Sequence, residues 1–494
     1  MPLSGLALGR IVMFSPNLSR HTQLRRRPVA LSSNALVDIQ SRGIARLRGL
    51  QGRISRESRL FLAISLVHFP LGVVLYNAGP LALLHPIAVV LLGMLWAFQR
   101  HVTLDRVALV VAYLIGSEVL WRMAKIPVPW EFGKYSSVAI MFVALMSRKP
   151  FKVPLLSSVY FLVLLPACIF PLAELDVSNA RAQISSTLSG PLLLAMSCWF
   201  FSNIKLTPLR LRRLVLGIVI PLLSVASTTL FYTVTADDLN FTTESNFATS
   251  GGFGPNQVSA MLGLGVFLSV CCLVLFKIDK KLKVLLGFAA IFFAAQSALT
   301  FSRSGIYSAI GASLAVLLLQ FRNLGQGVKR LVPILALSGV FFLFVFPALN
   351  DFTDGKLHER FEDTGTSNRV EIAQTDFEIF FEHPILGVGV GMSNEYRRRV
   401  YGYGAGSHTE FSRLISEHGI FGVAALLSLS AMAIINFKRQ KSTIGRALVA
   451  GVSVWCVLFM INAGTRLGAP SYLWGLMFTA FVRPRSWSPL QRLK

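Results

Sequence analysis

Long apolar stretches alternate with short polar clusters along most of the 494-residue chain. A helix needs roughly 20 apolar residues to cross the ~30 Å hydrocarbon core of a bilayer, and many of these stretches approach that length. The stretches lie at 60–77, 81–98, 107–122, 136–147, 153–173, 187–203, 214–235, 257–276, 284–301, 304–320, 331–348, 414–436, 447–463 and 471–483. The pattern predicts an all-α fold, a polytopic transmembrane helix bundle of about 12–14 spans.

Basic residues recur in every second connection between these stretches. If the N-terminus is cytoplasmic, all of these basic connections lie on the cytoplasmic side, as the positive-inside rule expects. The connection at 236–256, on the opposite side, contains neither lysine nor arginine. We therefore predict a multi-pass protein with both termini in the cytoplasm.

This topology divides the chain into five segments. They are a basic N-terminal tail at 1–58, transmembrane helices at 59–348, one large outer loop with amphipathic helices at 349–413, further transmembrane helices at 414–483, and a tail at 484–494. The first tail holds ten arginines, no lysine and two acidic residues. We predict that it is a disordered cytoplasmic leader attracted to anionic lipid, with a transit peptide as the alternative.

The composition excludes an ordinary soluble domain, because 53% of the residues are hydrophobic and only 14% are charged. The formal charge of +25 is explained mostly by topology, so we expect no nucleic-acid partner. All five cysteines lie inside apolar stretches and indicate neither a disulfide framework nor a zinc site.

The large outer loop contains a predicted amphipathic helix. Val370, Ala373, Phe377 and Phe381 recur at helical spacing, and His383-Pro384 ends the pattern. We expect this helix to lie on the membrane face or to pack over the mouth of the bundle.

The segment at 382–422 is the largest polar interruption and contains four arginines and three histidines. Its alternating glycines Gly387, Gly389 and Gly391 resemble a nucleotide loop, but neither a βαβ unit nor a following Lys-Ser/Thr accompanies them. We interpret them as a turn that permits close packing, with anion binding by free backbone N–H groups as the alternative.

Two groups in this segment are candidates for chemistry. His408 precedes a predicted helix N-terminus, with Glu410 and Arg413 nearby, and a histidine exchanges protons close to pH ~6.5. Arg397, Arg398 and Arg399 lie among tyrosines, which favours either a surface for phosphate or sugar or an interfacial anchor.

Further polar residues are predicted on the same outer side. Arg303 occupies a very tight turn, where an unpaired cation would need an anion or a carboxylate. Arg122 follows Glu118 by four residues and can pair with it, and Asn256 begins an apolar stretch. Outer cations around a membrane-embedded mouth are typical of a site for an anionic amphiphile.

In this order, the motifs resemble those of the O-antigen ligase and polymerase superfamily, which comprises polytopic bacterial membrane glycosyltransferases. The resemblance rests on Arg369 leading into HPILGVGVG, on His408 opening HTEF followed by EHGIFG, on FSRSG around Arg303, and on GFGPNQ around Asn256. Thr409 departs from the pattern, because the family usually has Asn there.

The resemblance implies transfer of a glycan from a polyprenyl-pyrophosphate donor to an acceptor hydroxyl at the periplasmic face of the bacterial inner membrane. The acceptor is a growing glycan in O-antigen or exopolysaccharide polymerisation, or lipid A-core in O-antigen ligation. We favour polymerisation, although both reactions use the same donor chemistry. Chain-length and export proteins are the further partners expected in the polymerisation case.

Residue roles follow from this scheme. The departing pyrophosphate needs positive charge, which Arg303 and Arg369 are expected to supply, and His408 is expected to act as the base. The substrate-binding residues are expected to be Arg397, Arg398, Arg399, Glu410, Arg413, Asn256 and Arg122. The scheme requires no metal and no cofactor.

Two other classes of function remain open at this point. A secondary transporter or flippase predicts ionisable residues near the membrane midplane and an internal repeat, whereas His68 is nearly the only such residue and we find no repeat. A non-catalytic component of a polysaccharide export complex predicts that substitution of His408 and Arg303 leaves the glycan unchanged.

Overall fold

The computed structural model describes residues 58–237, 239–320, 324–363, 365, 369–461 and 466–482. The tails predicted at 1–58 and 484–494 lie outside these residues, apart from Ser58. The predicted all-α, polytopic fold is confirmed.

Helices make up most of the described chain. Their bounds are α1 Ser58–Asn77, α2 Leu84–Phe98, α3 Leu104–Met123, α4 Phe132–Met146, α5 Leu155–Leu162, α6 Ile169–Glu174, α7 Val177–Ser202, α8 Pro208–Thr235, α9 Pro255–Leu275, α10 Lys280–Leu299, α11 Arg303–Leu318, α12 Leu324–Val340, α13 Phe346–Phe352, α14 Lys356–Glu362, α15 Arg369–Glu382, α16 Ser393–Val400, α17 Glu410–His418, α18 Ile420–Arg439, α19 Thr443–Met460 and α20 Gly468–Leu476. Shorter 3-10 and π-helical turns join some of them, at Gly79–Leu83, Pro166–Cys168, Ala248–Ser250 and Phe341–Val345.

Within the described residues, 10 helical stretches are long and apolar enough to cross a membrane, and α4 and α11 are shorter apolar helices. Helix α3 has 20 residues but carries the charged residues Asp105, Arg106, Glu118 and Arg122. The chain is therefore a multi-pass membrane protein.

The last predicted span, 471–483, differs most from expectation. Helix α20 has nine residues, so it extends about 14 Å, roughly half of the ~30 Å bilayer core. The chain nevertheless passes between the two ends of the bundle. The Gly468 N–H donates to Glu118 at one end (2.7 Å), and Ala480 pairs with Lys205 at the other. That pairing joins two-residue parallel strands, β1 Lys205–Leu206 and β2 Ala480–Phe481.

The core of the bundle lies around α9. The α9 span is 94% buried inside the protein, whereas the span Leu331–Phe352 is 0% buried and lies at the periphery. Small residues allow the central helices to approach: a Cβ added to Gly263 would lie 2.2 Å from the Gly305 carbonyl oxygen. This close contact of α9 with α11 fixes the position of the turn that carries Arg303.

Polar side chains fix where several helices begin. Asp176, Thr207, Asp279, Thr409 and Ser442 each accept a hydrogen bond from a backbone N–H in the first turn of α7, α8, α10, α17 and α19. Thr409 is the residue that departs from the family pattern, and its hydroxyl accepts from the Ser412 N–H at 3.1 Å. Threonine therefore serves as the cap of the helix that follows His408.

The outer loop contains the predicted amphipathic helix, which is α15. Ile372 and Ile379 are buried against the rest of the protein, while Val370, Phe377 and Phe381 of the predicted apolar pattern are exposed on the opposite face. The predicted start of the next span at 414 falls inside α17. The chain breaks at Gly419, where φ is +57°, before the long apolar helix α18 begins.

Candidate active site

The C-terminal end of α3 meets the N-terminal end of α9 and the connection before α20 through the Arg122 side chain. Its guanidinium donates to Glu118 Oε1 (2.5 Å), to Gln257 Oε1 (3.0 Å) and to the Arg466 carbonyl oxygen (3.2 Å). It also lies over the Trp130 ring, 4.2 Å from the ring centroid. Arg122 pairs with Glu118 as predicted, and it joins segments far apart in sequence at one end of the bundle.

The turn between α10 and α11 holds Arg303 at the same end. Phe301 has φ of +56°, a conformation that a bulky residue rarely adopts, and its carbonyl oxygen accepts from Arg360 Nε at 2.9 Å. Asn256 Oδ1 accepts from the Ser302 hydroxyl at 2.7 Å. Contacts from α9 and from the outer loop therefore fix this turn.

The guanidinium of Arg303 contacts the outer loop directly. It donates to the carbonyl oxygens of Asp363 and Gly365, the latter at 3.2 Å. Arg369 is the first residue of α15. Its pKa is lowered, chiefly by burial and then by the positive charges of Arg360 and Arg303, which indicates that the three side chains are neighbours. Arg360 also pairs with Asp363 at 3.4 Å, so the three arginines from two parts of the chain retain a net positive charge, which favours binding of an anion such as a phosphate.

His408 is half-buried in the segment between α16 and α17. Its pKa is lowered, chiefly by burial and then by the positive charges of Arg369, Arg466 and Arg397. Hydrogen bonds among the described residues engage neither ring nitrogen. A neutral imidazole with a free nitrogen can accept a proton from a hydroxyl. Arg369 is near enough to His408 for its charge to affect the histidine pKa.

Arg397 is fully buried, as is its ion-pair partner Asp376. The guanidinium also donates to the Ala405 carbonyl oxygen (2.6 Å) and the Ser407 hydroxyl (3.0 Å). The Asp376 carboxylate accepts a further bond from Ser412 (2.7 Å). These contacts engage Arg397 with α15 and with the residues immediately before His408, so they position the histidine.

Arg398 and Arg399 point elsewhere. Their side chains are 62% and 54% exposed and pair with Glu395, each at 3.1 Å. Arg399 also reaches Glu174 at 3.3 Å. Unlike Arg397, neither is among the charges that shift the pKa of His408.

Glu410 and Arg413 form a buried ion-pair group inside α17. Arg413 binds Glu410 with two hydrogen bonds, of 2.6 and 3.1 Å, and reaches Glu417 at 3.1 Å. Glu417 also accepts from the Ser393 hydroxyl at 3.0 Å. These contacts hold α17 against α16 directly after His408.

The alternating glycines are packing residues, as predicted. Gly387, Gly389 and Gly391 all have positive φ, and a Cβ on Gly387 would lie 2.4 Å from the Glu417 carbonyl carbon. The N–H groups of Gly387 and Gly389 donate to the carbonyl oxygens of His383 (3.0 Å) and Glu417 (3.1 Å). They are therefore occupied by backbone contacts, which favours packing over anion binding.

Sequence reasoning missed two arginines of this site, Arg466 and Arg360. Arg466 donates to the Ser407 carbonyl oxygen at 3.4 Å, next to His408. The signal was available: Arg466 is a lone cation in a connection that the positive-inside pattern places on the outer side. Arg360 precedes Arg369 in the same loop and had no comparable local signal.

A comparison with protein families found a match that overlaps this site. Residues 288–427 match the model of a family described as O-Antigen ligase. That segment is therefore similar to an O-antigen ligase domain. It runs from α10 into α18 and contains Arg303, Arg369 and His408, whereas Arg122 and Asn256 lie before it and Arg466 after it. Among curated proteins, none matches the chain.

The match confirms the predicted resemblance to the O-antigen ligase and polymerase superfamily. It supports membrane glycosyltransferase activity of the ligase or polymerase type. The family implies a lipid-linked glycan donor and an acceptor, used by a protein embedded in the membrane.

Proposed function

We propose that this protein transfers a glycan from a polyprenyl-pyrophosphate donor to an acceptor hydroxyl at the periplasmic face of the bacterial inner membrane. One observation carries the proposal: Arg303 donates to the carbonyl oxygens of Asp363 and Gly365, just before Arg369 in the chain, and Arg369 is near enough to His408 for its charge to lower the pKa of the histidine. A proton acceptor and an anion-binding group are thus neighbours at one end of an apolar bundle. Glycosyl transfer with a pyrophosphate leaving group needs this pair.

The arginines act on the donor. When the acceptor oxygen bonds to the anomeric carbon, the bond from that carbon to the pyrophosphate oxygen breaks and its electron pair leaves with the pyrophosphate. Negative charge grows on the leaving group, and Arg303 and Arg369 stabilise it. Because a guanidinium remains protonated in proteins, this stabilisation does not depend on pH near neutrality.

His408 acts on the acceptor. Its lowered pKa keeps the ring neutral at pH 7, so a ring nitrogen can take the proton that the acceptor hydroxyl loses during attack. Arg397, Asp376 and Ser407 position the segment that carries the histidine. We assign Arg397 and Arg413 to positioning rather than to direct contact with substrate, because both are engaged in internal ion pairs.

The test uses the purified full-length protein in lipid with a polyprenyl-pyrophosphate-linked glycan. His408→Ala should lower transfer by about 10²–10⁴-fold, the usual contribution of a general base. Arg303→Ala should lower it by about 10²–10³-fold, the usual contribution of one charge-stabilising donor. His358→Ala is the matched control, because His358 lies in the same loop but is exposed and pairs with Glu362. Unchanged transfer in the two site variants would overturn the proposal.

The same preparation distinguishes the two acceptors. We propose polymerisation, in which a second lipid-linked repeat unit is the acceptor. Lipid A-core is supplied in a parallel reaction, and elongated lipid-linked product should appear only with the repeat unit. Transfer to lipid A-core alone would assign the protein to ligation instead.

A further inference from the structure

A cleft of about 550 Å³ lies at the end of the bundle opposite His408. It is bounded by the start of α5, the ends of α7 and α18 and the chain after α20. Its lining consists of Lys152, Val153, Pro154, Leu155, Leu156, Ser202, Met432, Ile435, Asn436, Arg439 and Phe478. Since α18 has 20 residues and begins near the candidate active site, Arg439 lies about 30 Å from that site.

Two cations line this cleft without a counter-charge. The Lys152 amine and the Arg439 guanidinium have no hydrogen-bond or ion-pair partner among the described residues, and both side chains are exposed. The lining residues include no carboxylate. Two unpaired cations that line one cleft create a local positive potential, which favours an anionic group there.

Apart from Ser202 and Asn436, the other walls of the cleft are apolar, and they open outward. Leu155 is 78% and Ile435 is 42% exposed, on helices that span the membrane region. The cleft also faces the N-terminus of α5, whose cap Pro154 makes no side-chain hydrogen bond to the first-turn N–H groups. These N–H groups and the helix dipole favour a phosphate, while the apolar walls fit acyl chains.

We propose that this cleft binds an anionic phospholipid, with the headgroup phosphate between Lys152 and Arg439 and the acyl chains along Leu155 and Ile435. A zwitterionic lipid lacks the net negative charge that two cations select. A free phosphate would leave the apolar walls uncovered. The site is separate from the glycosyltransferase site, so lipid binding is measured without any transfer reaction and either proposal can fail alone.

The experiment measures lipid affinity by native mass spectrometry of the full-length protein in a neutral detergent, with phosphatidylglycerol and phosphatidylcholine titrated separately. Phosphatidylglycerol should bind more tightly. The double variant K152A/R439A should weaken its binding roughly tenfold or more, since each basic side chain near an anionic headgroup contributes about a fivefold factor.

The matched control is K149A/K438A, which removes the same two charges from exposed positions that do not line the cleft. It should change the affinity less than about twofold, while K152R/R439K should preserve binding. The variant Ile435→Trp fills the cleft without changing its charge and should also weaken binding. If both double-alanine variants lose affinity equally, the attraction is general and the site does not exist. Displacement of the lipid by an equal concentration of glycerol phosphate would likewise overturn the proposal.

Discussion

His408 differs from an ordinary loop histidine in its neighbours. Burial and three nearby arginines oppose a further positive charge on its ring. Its pKa is therefore lowered from the usual value, so at a given pH the side chain is neutral more often than a typical histidine. Protonation below that lowered pKa removes the base, so we expect transfer to fall on the acid side.

Removing one of these arginines should shift the acid limb of the pH profile of kcat/KM. Arg466→Gln deletes a positive charge near His408 and should raise its pKa, so kcat/KM should fall at a higher pH than in the wild type. The two proteins should differ most in acidic solution and least in alkaline solution. The comparison is a pH profile of both, with Arg100→Gln as a control for loss of one exposed charge far from the loop. An identical acid limb would contradict the assignment of His408 as the base.

The buried pair of Arg397 and Asp376 carries a second residue-level prediction. Asp376→Asn leaves a buried guanidinium without its counter-charge and should destabilise the protein by about 3–5 kcal/mol. The double variant D376N/R397Q removes both charges and should recover part of this loss. Thermal unfolding in detergent measures both. Equal stability of wild type and Asp376→Asn would show that the pair does not stabilise the loop.

At the scale of elements, apolar length predicted most helices because the bilayer core sets a length that the sequence must match. It did not predict where the helices break. Gly419 separates α17 from α18 because its backbone takes a positive φ and approaches the Ile385 carbonyl oxygen, where a Cβ would lie at 2.5 Å. The pattern of apolar residues contains no such tertiary information.

The role of His68 also depends on tertiary contacts that the sequence pattern does not contain. A transporter would need ionisable residues near the membrane midplane, and His68 is nearly the only such residue that the sequence offers. In the structure its ring bonds to the Ile64 carbonyl oxygen (2.8 Å) and the Tyr113 hydroxyl (3.0 Å), and this hydroxyl also contacts His85 (2.9 Å). These contacts join α1, α2 and α3 and give His68 a structural role.

The glycine turn before α16 should be sensitive to a single methyl group. Gly387→Ala places a Cβ against the backbone of Glu417 and His418 at a φ of +65°, so it should separate the turn from α17 and reduce transfer. Gly402→Ala is the control. It has a similar φ of +74° but nothing within 4 Å of its Cβ, so only the backbone strain of about 1 kcal/mol applies. Comparable unfolding temperatures for both variants would show that packing at Gly387 is unimportant.

At the scale of the whole molecule, charge patterning predicted which connections share a side, and the structure brings these connections together. Arg122 forms hydrogen bonds to Gln257 and to Arg466, which lie 135 and 344 positions away in the sequence. Counting spans predicted that these residues lie on the same side of the membrane. It did not predict which of them form hydrogen bonds with each other. The sequence alone identified Arg303, Arg369 and His408 as candidate site residues. The positioning role of Arg397 became evident only from its buried ion pair with Asp376 in the structure.

The orientation in the membrane is a separate prediction. A reporter that is active only in the periplasm should be active when fused near Gly365 and inactive when fused near Gln440, because α18 crosses the bilayer between them. Reporter activity in cells, normalised to the amount of each fusion, gives the result. The opposite pattern would place His408 in the cytoplasm and exclude the proposed periplasmic reaction.

The hydrogen bonds of Arg122 have a consequence for engineering. The segment that matches the family covers residues 288–427, yet Arg122, Gln257 and Arg466 at the same end of the bundle come from outside it. The outer loop therefore cannot be exchanged on its own without losing matched contacts at this end of the bundle. A chimera that receives only this segment from a relative would gain the relative's histidine and arginines but keep Arg122, Gln257 and Arg466 of the original chain. Acceptor preference should therefore change only when the end of α3 and the turn at Arg466 are exchanged together with the segment.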